Sequence, residues 1–117
     1  MGARIALMIA LTLAGCDKVR VEPHGADSES IARGKVAAQR IGCGACHVIP
    51  GVWPQGTTGP SLAGFAARGM IAGKLPNRPD ALAAFLLDPS GTAMPKQPMT
   101  PAEADDIAAY LPAADAR

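Results

Sequence analysis

Two cysteines spaced two residues apart, with a histidine directly after the second, form the segment Cys43-Gly44-Ala45-Cys46-His47. Thiols at this spacing can each add across one of the two vinyl groups on a porphyrin edge. The adjoining imidazole can then offer a nitrogen to the iron beneath the ring. This is the attachment pattern of a c-type haem. The same residues admit two other readings. A structural zinc site needs two more ligands, and His24 and Cys16 are the remaining candidates. A thioredoxin-like redox pair follows a strand, whereas the residues ahead of Cys43 carry a helical pattern.

The third cysteine has a different context. Met1-Gly2-Ala3-Arg4 is a short basic start, and residues 5–13 are an apolar run, closed by Leu13-Ala14-Gly15-Cys16. The run is too short to span a bilayer and has the outline of a secretory signal peptide. Its last four residues resemble the lipobox of bacterial lipoproteins, in which the cysteine is acylated and becomes the new N-terminus. Residues 1–15 are therefore expected to be a signal peptide, and Cys16 a lipidation site. A lipoprotein cysteine carries more than one acyl chain, enough for stable anchoring. The expected location is outside the cytoplasm, on the cell membrane, facing the periplasm or the cell exterior. All three cysteines of the chain are then assigned, and none remains for a disulfide.

Composition fits a small domain built around a large cofactor. The chain has 117 residues, only four aromatic residues, thirteen glycines and eleven prolines. A domain this small has little apolar volume of its own, and a porphyrin would supply the missing core. The formal charge of +1 gives no bulk basic signal for nucleic acid.

The elements that must position the motif are short. Residues 16–29 are polar, with Pro23 and Gly25, and are expected to be a tether reaching about 20 Å. A first helix, capped by Ser28 or Ser30, is expected to run to about Ile41, with Ile31, Gly34, Val36, Ala38 and Ile41 inward. A short helix is expected over 62–68. Another spans 79–87, with Asn77 or Arg78 ahead of it and Leu82, Phe85 and Leu86 at helical spacing. The last helix opens at Thr100-Pro101-Ala102-Glu103, a capping box with proline at its first position, and is expected to stop at Pro112. No strands are expected. Residues 30–112 form the domain, and 113–117 a tail.

Over about 30–111 the chain resembles the class I cytochrome c family. The resemblance is carried by Gly34 in the first helix, Cys43 to His47, Gly59-Pro60-Ser61-Leu62, Met94-Pro95, and the close Ile107-Ala108-Ala109-Tyr110-Leu111. It implies an all-α fold of three to five short helices with long loops wrapped around one covalent haem c. It implies that Cys43 and Cys46 attach the haem and that His47 is the proximal iron ligand. The other His47 nitrogen would donate to the Pro60 carbonyl, and Met94 would be the sixth ligand. Met99 is weighed against Met94, but lies directly before the Thr100 cap, where it suits a hydrophobic staple. Met70, His24 or an open site are lesser candidates. Trp53 either packs near the porphyrin or is a loop aromatic, and Arg68, Lys74 and Arg78 either meet propionates or a partner or are solvated. The family's role implies a membrane-anchored carrier of single electrons between respiratory partners, with no catalysis and no small-molecule substrate. The partner class is a terminal oxidase or a quinol-oxidising complex. The alternative is the electron-accepting subunit of a periplasmic dehydrogenase complex.

Overall fold

A computed structural model describes residues 26–116. The expected signal peptide, Cys16, His24 and most of the tether lie outside the described residues.

Helix α1 spans Ser28–Ile41. Its N-cap is Asp27, ahead of both Ser28 and Ser30, the residues expected to cap it. The Asp27 carboxylate accepts the Ser30 N–H at 2.6 Å. Gly42 ends the helix with φ +89°, a conformation that glycine adopts at little cost. The turn there sends the chain directly into a 3-10 turn at Cys43–Ala45.

Helix α3 spans Pro101–Ala113 and opens with the capping box between Thr100 and Glu103. It does not stop at Pro112. Proline lacks the N–H that would bond the preceding turn, but in a last turn that loss is small. The chain instead tightens into a 3-10 turn, Ala114–Ala116, with the Ala114 N–H on the Leu111 carbonyl. Ala114 is buried, and the Asp115 carboxylate accepts the Gly64 N–H at 2.8 Å, so these residues belong to the packed structure.

Helices α1 and α3 cross at close range. A Cβ on Gly34 would sit 2.0 Å from the Asp106 carbonyl oxygen and 2.7 Å from Tyr110 Cβ. Only glycine permits that approach. Ala37 and Ala38 are buried against the same seam, whereas Val36 points outward and is 66% exposed. Arg33 makes a two-pronged bond to Asp106, and Arg40 meets Glu103, so ion pairs flank the crossing on its solvent side. These pairs are partly exposed and add little beyond fixing register. Tyr110 is buried and its hydroxyl donates to the Pro50 carbonyl at 2.5 Å, tying α3 to the loop after the motif.

Between them lie smaller elements. Where a helix over 62–68 was expected there is a 3-10 turn, Phe65–Ala67, with Phe65 in the core. Two-residue strands β1 (Met70–Ile71) and β2 (Leu75–Pro76) form an antiparallel hairpin, correcting the expectation of no strands. Ile71 anchors it in the core. Asn77 does not cap the next helix. Its amide donates instead to the carbonyls of Phe65 and Arg68, both at 2.9 Å, closing the 3-10 turn. Helix α2, Pro79–Leu87, follows from Arg78 with proline in its first turn. Leu82 and Leu86 enter the core and Phe85 is half-buried beside it. The fold is all-α apart from the small hairpin.

Candidate functional site

The motif occupies a tight turn. The N–H groups of Cys46 and His47 both donate to the Cys43 carbonyl, at 3.3 and 3.1 Å, and Ala45 N–H reaches Gly42 at 2.9 Å. This winding brings both thiols and the imidazole within five residues onto one turn of chain. Both cysteines are free thiols and half-buried. Burial pushes the Cys43 thiol above its usual pKa.

The loop after the motif folds back along it. Gly56 N–H donates to the Gly44 carbonyl at 2.7 Å, Gly59 N–H to Cys46 at 2.7 Å, and Leu62 N–H to Val48 at 2.8 Å. These three bonds lay residues 56–62 alongside the motif in register. The register places Gly59 against the face of His47. A Cβ there would stand 2.6 Å from the ring's Cε1 and 2.8 Å from Nδ1. It also places the Pro60 carbonyl 2.7 Å from His47 Nδ1. A carbonyl can only accept, so Nδ1 carries the proton and the Nε2 lone pair is left free to bind a metal.

The middle basic residues are engaged locally. Arg68 donates to the Ser61 carbonyl and lies over the Phe65 ring, 5.8 Å from its centroid. Lys74 reaches Gly91, and Arg78 reaches Asp80. Trp53 is 67% exposed, while its backbone N–H and carbonyl are both held by the Gln39 side chain. Of the methionines in the described residues, Met94 and Met99 are half-buried and packed against the core, whereas Met70 is 49% exposed on β1. Among the described residues no three His, Cys, Asp or Glu side chains gather as a metal cluster, so a zinc site confined to them is not formed.

The family model for cytochrome c matches residues 31–114, most of the chain. The chain belongs to the cytochrome c family. No curated protein and no solved structure matches it.

Membership brings a covalently bound haem c and a role in electron transfer. The residues present in this cytochrome c fit that group on structural grounds. Two unpaired thiols stand at the required spacing, and the adjoining imidazole is held in the tautomer that leaves Nε2 free. Cys43 and Met94 both pack against an apolar core that includes Phe65, Leu82 and Leu86.

Sequence reasoning missed three contacts that shape the surroundings of the site. The Gln39 clamp on Trp53, the Asp115 bond to Gly64 and the Lys74 bond to Gly91 all join segments far apart in sequence. Each uses an ordinary surface side chain, so nothing in the local pattern marks it.

Proposed function

We propose that this cytochrome c is a lipid-anchored carrier of single electrons between respiratory redox partners, passing them toward a terminal oxidase. The carrying observation is the His47–Pro60 pair, which holds an imidazole with Nε2 available next to two free thiols. Cys43 and Cys46 attach the haem, His47 ligates the iron, and Met94 completes its coordination. The bound haem supplies one-electron chemistry at iron. The protein's part would be to hold the His47 imidazole and the Met94 thioether in place and to keep the surroundings apolar. A thioether sixth ligand favours the ferrous state and raises the potential. With His47 and Met94 both holding the iron, no substrate would reach the metal, as a carrier requires.

The anchor is the acylated Cys16, at the end of an export signal, with the residues between it and the Asp27 cap of α1 as tether. Two acyl chains hold the domain at the outer face of the cell membrane. There its partners are membrane redox complexes, an oxidase or a quinol-oxidising complex.

The absorption spectrum of purified holoprotein, before and after carbon monoxide, tests the site. A weak far-red sulfur-to-ferric-iron band with no response to carbon monoxide in the reduced form supports the carrier. Rapid carbon monoxide binding by the parent protein would overturn it. Met94→Ala should retain covalent haem and open the iron to carbon monoxide. Loss of acyl labelling in Cys16→Ala tests the anchor.

A further inference from the structure

The loop that carries Met94 is tied to a distant part of the fold through one side chain. Lys74 Nζ donates to the Gly91 carbonyl at 2.6 Å. Its own backbone is fixed, since Lys74 N–H donates to the carbonyl of Ile71, whose side chain is buried. The ammonium is thus presented from an anchored hairpin.

Its target is also ordered. Gly91 lies at φ +77° in a turn that Thr92 closes, with the Thr92 N–H and hydroxyl both on the Pro89 carbonyl, at 3.3 and 2.7 Å. Pro89 is fully buried. The Thr92 hydroxyl oxygen then accepts the Met94 N–H at 3.3 Å. A continuous chain of bonds therefore runs from the core-anchored hairpin through Lys74, Gly91 and Thr92 to the backbone of Met94.

We infer that Lys74 is a positioning residue for Met94, clamping the 89–94 turn so that the thioether stays on the iron. The inference rests on the reading of Met94 as sixth ligand. A sulfur–iron bond competes with exogenous ligands, and its hold depends on how far the loop can swing away. The ammonium–carbonyl bond is charge-assisted and spans seventeen positions of sequence. It therefore restrains the loop in a way that local turn bonds do not. Lys74 is exposed, so its loss leaves the core intact.

The test compares ferric holoproteins of the parent, Met94→Ala, Lys74→Met and Lys74→Arg. Imidazole affinity is read from the Soret shift, and the helix-melting midpoint from circular dichroism. Lys74→Met should bind imidazole about five- to tenfold more tightly than the parent, the effect of losing one such bond. Its melting midpoint should stay near the parent's, and Lys74→Arg should restore parental affinity. If Met94→Ala binds imidazole tightly but Lys74→Met behaves as the parent, the clamp is refuted and the ligand assignment stands. A Lys74→Met protein that loses melting midpoint in step, without rescue by arginine, also refutes the clamp, since Lys74 then only stabilises the fold. If Met94→Ala shows no gain in affinity, the ligand assignment and the clamp fall together.

Discussion

His47 Nδ1 stands 2.7 Å from the Pro60 carbonyl oxygen, thirteen residues further along the chain. That distance decides the tautomer of the ring, and with it the nitrogen left for metal. It exists because three backbone bonds bring residues 56–62 alongside the motif.

Gly59 is the point at which this arrangement is most easily disturbed. Gly59→Ala would place a methyl 2.6 Å from His47 Cε1, well inside contact distance. The ring must tilt or the loop must lift. The ferric holoprotein should gain a high-spin fraction in its absorption spectrum, reporting a weakened axial bond. An unchanged low-spin spectrum would show that the ring has room to spare.

The two thiols are expected to act as separate attachment points. Haem-stained denaturing gels should show reduced covalent haem in Cys43→Ala and in Cys46→Ala, and none in the double variant. Covalent haem surviving in the double variant would require a different attachment site.

Gly34→Ala tests the crossing of α1 and α3. The added methyl meets the Asp106 carbonyl oxygen at 2.0 Å, and backbone cannot swing aside as a side chain can. Overpacking of this kind costs about 1–3 kcal/mol, or more where the helices must separate. Denaturant unfolding of the holoprotein should show that loss, and an unaltered midpoint would contradict the close approach.

Acid should weaken the ends of both long helices. Asp27 is held below the usual carboxylate range chiefly by the Ser30 N–H, and Glu103 chiefly by the Thr100 N–H. A carboxylate whose pKa is lowered on folding adds stability above its unfolded value, about 4, and loses it as pH falls through the folded value. The melting midpoint should therefore hold above about pH 5 and decline below about pH 4. Glu103→Gln should flatten part of that decline. Both groups are exposed, so the effect is modest.

Much of the site was legible in the sequence because its chemistry is local. Two thiols and an imidazole within five residues need no distant partner to be recognised. The capping box at Thr100 and Glu103 was legible for the same reason, since both groups lie in one turn. Less legible was anything set by contact between segments. Asn77 looked like a helix cap, yet its amide closes the 3-10 turn at Phe65 and Arg68, where two carbonyls converge on it. Gly34 and Ala38 lie on the inward stripe of α1 as spacing indicates, but the close approach of α3 at Gly34 buries Ala37 in place of Val36.

By itself the sequence determined the attachment motif, the helices that flank it and the family they imply. These follow from bonds and periodicities within a few residues. Tertiary structure alone decided which His47 nitrogen is free, how closely the first and last helices cross, and where Lys74 reaches. Each of these depends on a distance between segments that sequence spacing does not encode.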